Sequence, residues 1–224
     1  MRFLQHLGFL FFILSGSLTS QAQDFQLVQS IPLNARPTAA SISNYGNLYF
    51  ADVAYNFFKY SPQGEILQEI SIDAAPITSV HAYQTLNVFT FQEDVQVFTI
   101  YNRLLTPVNT QSLYEVSNGF IRFPTFAVNG MVWWLNQSTL SLESYQIETQ
   151  QILQTIPLNQ IVPSIEEVEV TDFQFYQNKL FLVLKNQEVL VFDDLGNFQK
   201  SLPIPTEKIS FYRDKICNFI TKNQ

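Results

Sequence analysis

The chain has 224 residues, enough for one well-packed domain and few for two. Its 12 basic and 19 acidic side chains give a formal net charge of −7, a sign that repels phosphate backbones and anionic membrane surfaces, so nucleic acid and acidic lipid are not expected as partners. A single cysteine, Cys217, rules out an intramolecular disulfide, and stability must come from burial.

Met1 and Arg2 open the chain, and an apolar run with Phe3, Leu4, Leu7 and the stretch from Phe9 to Leu14 follows. Small and polar residues then dominate from Ser15 to Gln23. A positive end, a short greasy segment and a small-residue exit make a secretory signal peptide, and the run is too short for a membrane span. Ser20 and Ala22 supply small side chains at the minus-three and minus-one positions, which predicts cleavage after Ala22 and a mature chain of residues 23–224. No cysteine follows the run, so a lipoprotein-type anchor is not indicated. Cleavage leaves 11 basic and 19 acidic residues, a net charge of −8, with His81 as the single histidine. The expected destination is the periplasm or the medium, and the expected state is a monomer.

From Phe25 onward, alternating β-branched and aromatic residues fall in short runs between turn formers, and no segment keeps a helical period. The clearest predicted strands cover residues 25–31, 47–52, 65–72, 86–91, 95–101, 131–135, 140–147, 180–184 and 189–193. The same plan returns along the chain. Its first copy reads Asn47-Leu48-Tyr49-Phe50-Ala51-Asp52, then Phe57-Phe58-Lys59-Tyr60, the turn Ser61-Pro62-Gln63-Gly64, and a third strand through Ile70. A fourth copy runs from Asn178 through Val189-Leu190-Val191-Phe192, the turn Asp193-Asp194-Leu195-Gly196-Asn197 and a third strand from Phe198 to Leu202. The second and third copies carry turns near Asn102-Arg103 and Glu148-Thr149 that lack glycine, and a fifth starts at Ile209.

The equivalent positions Leu48, Leu86, Val132, Leu180 and Ile216 are spaced by 38, 46, 48 and 36 residues, which are four-strand blade lengths. The fold predicted is therefore all-β, a β-propeller of about five four-stranded blades, the last incomplete or closed by the N-terminal strand. The blades are placed at residues 37–72, 77–110, 120–157, 168–204, and 208–224 together with 25–32. Closure by residues 25–32 and descent from a longer, truncated propeller both stay open.

Asp52 followed by Tyr60-Ser61-Pro62-Gln63-Gly64 resembles the NHL-type and related six-bladed propeller repeats, in which a strand ending in Asp precedes an aromatic strand and a Tyr-x-x-x-Gly turn. Leu184 stands where the fourth copy would carry that Asp. The likeness implies a scaffold and specifies no chemistry.

The chemistry tested on the sequence yields no catalytic, cofactor or metal site. A single mature histidine excludes a multi-imidazole centre, and His81, within Ser79-Val80-His81-Ala82-Tyr83, has no Gly-x-Ser-x-Gly elbow. Propeller lactonases hold a divalent metal with channel carboxylates, and the densest acidic cluster here is Glu166, Glu167, Glu169 and Asp172, whose alternation with Val168 and Val170 reads as a solvated loop and strand entrance. Asp52, Asp94, Asp193 and Asp194 sit beside turns, where Asp caps backbone amides. Trp133 and Trp134 are adjacent on a strand, point to opposite faces, and read as packing between blades. Cys217 reads as a small buried residue. The function expected is an exported non-catalytic binding or scaffolding module for a protein or small-molecule ligand. The alternatives are a metal-dependent hydrolase of the lactonase kind and a degenerate fragment.

Overall fold

Bulky residues at consecutive strand positions need cover on both sides of a sheet, and neighbouring sheets of this chain supply it to one another. The structure, a computed structural model, describes Ser30, Leu33 and residues 35–82, 87–127, 129–212 and 215–218. The chain divides into units Met1–Ile31 and Pro32–Gln224. The first holds the predicted signal segment and, but for Pro32, the predicted closing strand 25–32, and lies outside the described residues except for Ser30.

The second unit is all-β. Blade 1 is an antiparallel meander of β1 (Pro37–Ile42), β2 (Leu48–Asp52), β3 (Asn56–Tyr60) and β4 (Ile66–Ser71). Blade 2 repeats it with β5 (Ser79–His81), β6 (Val88–Gln92), β7 (Val97–Tyr101) and β8 (Pro107–Ser112). Blade 3 has β9 (Ile121–Phe126), β10 (Met131–Asn136), β11 (Ser141–Gln146) and β12 (Gln151–Pro157), and blade 4 has β13 (Val170–Tyr176), β14 (Lys179–Leu184), β15 (Glu188–Asp193) and β16 (Phe198–Leu202). A hairpin of β17 (Ile209–Tyr212) and β18 (Lys215–Asn218) follows. The first strands lie side by side, β1 against β5, β5 against β9 and β9 against β13, which makes them the inner strands of a propeller. Four complete four-stranded blades are therefore present, and of a fifth the described residues show this hairpin alone.

The second strands of blades 2, 3 and 4 each feed two cores because successive side chains point to opposite faces. Tyr49, Ala51 and Phe57 of blade 1 meet Val80, Val88 and Tyr101 of blade 2. On the other side of blade 2, Phe89, Phe91 and Phe98 meet Val132, Trp134 and Tyr145 of blade 3. Trp133 and Leu135 turn instead to blade 4, against Phe173, Leu180, Leu182 and Leu184. Phe181 and Val183 turn to the hairpin, against Ile209 and Phe211. Both indoles are fully buried, one on each side of blade 3.

Side-chain hydrogen bonds stitch the same interfaces. Gln92 Nε2 donates to the carbonyls of Asp73 (2.8 Å) and Ala75 (2.6 Å). Gln96 of blade 2 donates to the Ile121 carbonyl (2.9 Å) and accepts from its amide (2.8 Å). The Phe175 amide donates to Thr125 Oγ1 at 3.0 Å. Asp172 Oδ2 accepts from the Ile209 amide while Gln174 donates to the Ile209 carbonyl, which ties β17 to blade 4.

The turns between third and fourth strands share one design. Ser61 Oγ accepts from the amides of Gln63 and Glu65, Asn102 Oδ1 from Leu104 and Thr106, and Asp193 Oδ1 from Leu195 and Asn197. A left-handed residue closes each turn, Gly64 and Gly196 in blades 1 and 4 and Leu105 in blade 2. Gln150 takes that conformation in blade 3, so the turns without glycine keep the same backbone form. All four hairpins shift register just before their turns, at Tyr60, Tyr101, Tyr145 and Phe192. The sequence places the start of β7 too early, because Glu93–Val95 forms a 3-10 turn in front of it.

Two substitutions test this turn account. Gly196→Ala is expected to destabilise by more than about 1 kcal/mol, since its φ is +82° and a Cβ there would strike Ile156 Cδ1 and come within 2.7 Å of the Trp133 ring. Gln150→Gly, at φ 55° on an exposed turn, is expected to stabilise by about 0.5 kcal/mol. Equilibrium urea unfolding reads both.

Candidate functional site

In a four-stranded meander the turns joining first to second and third to fourth strands emerge on one face, and the remaining connections on the other. On the first of these faces, a cavity of about 310 Å³ opens between blades 1 and 2. Its blade 1 wall is Ser43, Tyr45 and Asn47 from the β1–β2 turn with Tyr49 of β2 and Lys59 of β3. Blade 2 contributes Ala82, Val88 and Arg103.

Local folding explains how a lysine comes to lie there. β3 alternates Phe57 and Lys59 toward blade 2 with Phe58 and Tyr60 toward the opposite side, where Phe50 stacks on both of the latter rings. Lys59 is only 9% exposed. Its Nζ donates to the Arg103 carbonyl at 2.8 Å and stands 5.8 Å from the centre of the Tyr49 ring. Burial lowers the Lys59 pKa from its ordinary value, and the Arg103 guanidinium lowers it further. The Tyr49 hydroxyl is pushed up by burial. The cavity thus brings together two cations, hydroxyl and amide groups, and the apolar side chains of Ala82 and Val88. Lys59 and Arg103 are 44 residues apart, and no motif in the sequence joins them.

The residues weighed from the sequence lie elsewhere. Ser79 and His81 are on β5, an inner strand, with Ser79 Oγ 2.9 Å from His81 Nε2. Burial pulls the His81 pKa to about 4, opposed by a hydrogen bond to the Pro124 carbonyl. Such a ring is a weak base at neutral pH and is held as a structural link between β5 and β9. Glu166 and Glu167 are exposed in a 3-10 turn, and exposed Glu169 pairs with Lys185 at 2.7 Å. Asp172 is separate from them, half-buried on β13; burial raises its pKa, and its bonds from the Ile209 amide and Gln174 oppose the rise. Asp52 Oδ1 caps the β2–β3 turn through the amides of Ala54 and Asn56, both at 2.9 Å. Asp94 sits in the 3-10 turn before β7 and Asp194 in the β15–β16 turn. Burial pushes the Asp193 carboxyl up, but bonds from Asn197, Leu195 and Gln199 hold it below the usual carboxylate range. Cys217 lies on β18, paired in register with Ser210. Among the described residues no three His, Cys, Asp or Glu side chains converge as a metal site would require, and no helix is long and apolar enough to cross a membrane.

One buried carboxylate escaped the sequence reading. Glu143 of β11 is 5% exposed; it accepts from Trp134 Nε1 at 2.7 Å and Ser117 Oγ at 2.9 Å through one oxygen, and from Asn136 Nδ2 at 2.9 Å through the other. In Ser141-Leu142-Glu143-Ser144-Tyr145 it reads as ordinary polar alternation. Three donors and full enclosure make it a structural centre joining blade 3 to the segment that enters it.

Two predictions follow from these groups. His81 resists in the folded state a proton that it accepts when unfolded, so its contribution to stability is intact above its ordinary pKa near 6.5 and is lost as pH falls toward 4. Between pH 7 and pH 4.5 the full-length protein should lose about 2 kcal/mol more unfolding free energy than His81→Gln. Glu143→Ala leaves the Trp134 and Asn136 donors buried and unpaired and should cost about 3 kcal/mol, against a smaller loss for Glu143→Gln, both read by chemical denaturation.

No protein-family model matches this chain. No curated protein matches it either. Solved structures do share its fold. The WD40 domain of Pan2 from Neurospora crassa superposes with a TM-score of 0.56 at 7% identity, over 75% of this chain and 50% of that one. BamB from Moraxella catarrhalis gives 0.52 at 10% identity, over 81% and 55%. The computationally designed Ika4 protein gives 0.53 at 16% identity, over 75% of this chain and 98% of the design. The chain spans about half the length of the first two, and identities this low establish the propeller fold alone.

Proposed function

We propose that this chain is an exported, non-catalytic binding module with an NHL-like propeller, which holds a protein or small-molecule ligand on the face that carries the β1–β2 and β7–β8 turns. The cavity between blades 1 and 2 is the observation that carries the reading. It is concave, sits between two rigid sheets, and gathers polar groups and two cations beside apolar side chains, the ordinary composition of a ligand pocket. The inner strands offer no comparable chemistry, since His81 is committed to Ser79 and Pro124. Propellers commonly serve as binding platforms, and the proteins of similar fold include a WD40 domain. The NHL-like assignment rests on Asp52 and on Tyr60-Ser61-Pro62-Gln63-Gly64, and export rests on the run from Met1 to Ala22.

Two measurements test the proposal. Fractionated cells expressing the full chain should yield the protein outside the cytoplasm with Gln23 as its first residue; a cytoplasmic chain that keeps Met1 would refute export. A photo-crosslinking amino acid at Tyr45, which is 70% exposed beside the cavity, should give adducts in envelope or culture extract. The same group at Val53, 50% exposed on the opposite face, should not. No adduct, or equal adducts at the two positions, would refute the assignment of the face.

A further inference from the structure

We infer that the cavity between blades 1 and 2 is a carboxylate site, seating an organic acid whose apolar body lies against Val88 and the Tyr49 ring while its charged end meets Lys59 and Arg103. The inference rests on the binding reading above and names the ligand class.

The charge balance comes first. A folded chain of net charge −7 gathers two cations at one small cavity. Among the described residues the two ion pairs, Arg122 with Glu93 and Lys185 with Glu169, lie elsewhere, so neither Lys59 nor Arg103 is neutralised by a carboxylate. Like charges held together in a partly buried place are unfavourable, and an anion bound between them relieves both. Geometry agrees. An ammonium has three donors, and among the described residues Lys59 Nζ donates to one acceptor, the Arg103 carbonyl. That bond also fixes the amine beside the residue whose guanidinium supplies the second cation. Arg103 is exposed at its side chain and can close on a ligand with the planar fork that suits a carboxylate.

Size and lining choose among anions. About 310 Å³ accommodates a small organic group and is generous for a bare inorganic ion. Ala82, Val88 and the Tyr49 ring give that group apolar contact, and Ser43 and Asn47 border it with neutral polar groups. The net negative charge of the whole chain opposes a dianion more strongly than a monoanion, which favours a carboxylate over a phosphate. A free organic acid and the C-terminal residue of a polypeptide present the same chemistry, an apolar body with one carboxylate.

Calorimetric titration of the full chain tests the assignment with phenylacetate, phenylacetamide, inorganic phosphate, and a short peptide ending in Phe with a free or an amidated C-terminus. Phenylacetate should bind saturably and about tenfold tighter than its amide, and Arg103→Gln should weaken it about tenfold. Arg103→Gln alters an exposed side chain and keeps the backbone carbonyl that Lys59 uses, so its fold is preserved; Lys59→Met should remove the remaining preference for acid over amide. A free-ended peptide that binds tighter than phenylacetate, with loss on amidation, assigns a polypeptide terminus; phenylacetate equal or tighter assigns a free acid. Phosphate binding tighter than phenylacetate, acid and amide binding equally, affinity unchanged in Arg103→Gln, or no saturable binding by any probe would overturn the carboxylate assignment. Crosslinking from Tyr45 decides the binding reading separately, because adducts there with no acid preference would leave a binding face and remove only this ligand class.

Discussion

Every blade of this protein is apolar on both faces, and that single constraint dictates the arrangement of the rest. A sheet that carries Trp133 and Trp134 at neighbouring positions cannot expose either side to water, so it must lie between two other sheets. The same holds for β14, where Leu180, Leu182 and Leu184 face blade 3 while Phe181 and Val183 face the hairpin. Sheets that need cover on both sides stack around an axis, and the inner strands approach one another where the stack narrows. With no possible disulfide, the interfaces between blades are the main source of cohesion.

Several polar groups trapped in those interfaces are paired with backbone, although Trp133 Nε1 and the Tyr145 hydroxyl are buried there without a hydrogen-bond partner among the described residues. Gln92, Gln96, Gln174 and Asp172 each reach across to main-chain atoms of the adjoining blade or linker, which sets the angle between neighbours more sharply than apolar contact does. Lys59 belongs to this set and departs from it in one respect. Its bond to the Arg103 carbonyl bridges blades 1 and 2 as the glutamines bridge theirs, but it also lines the cavity between them together with the Arg103 side chain. A structural tether and a recognition group coincide in one side chain.

The sequence reveals the second and third strands of each blade because they are doubly buried and therefore dense in large residues. It reveals the repeat through Asp52, Tyr60 and the turn glycines. Inner and outer strands are less visible for opposite reasons. β1, with Ala39, Ala40 and Ser41, and β5, with Ser79 and His81, occupy the crowded centre, where bulky alternation does not fit. β8 and β16 form the polar outer rim; the sequence of β8 reads as loop, and β16 is found only as the last part of the fourth repeat copy. The absence of glycine from two turns conceals their likeness to the others, since Leu105 and Gln150 adopt the left-handed form that the motif leads one to expect only of glycine. The candidate site is not legible at all. Lys59 looks like a surface lysine within an aromatic strand, and Arg103 like a loop arginine; only the packing of blade 1 on blade 2 unites them. Glu143 is hidden in the same way, because its three donors come from two other segments of the chain, Trp134 and Asn136 on β10 and Ser117 before β9.

The central claim is that shared burial binds the four blades into one cooperative body. Both tryptophans of the chain are in blade 3, so tryptophan fluorescence reports on that blade and its two interfaces, while far-ultraviolet circular dichroism reports on every strand. Urea unfolding of the full-length protein followed by the two signals tests the claim directly. Superimposable transitions with one midpoint and one slope are the predicted result. A fluorescence transition displaced from the dichroism transition would show blade 3 unfolding apart from its neighbours and would contradict it.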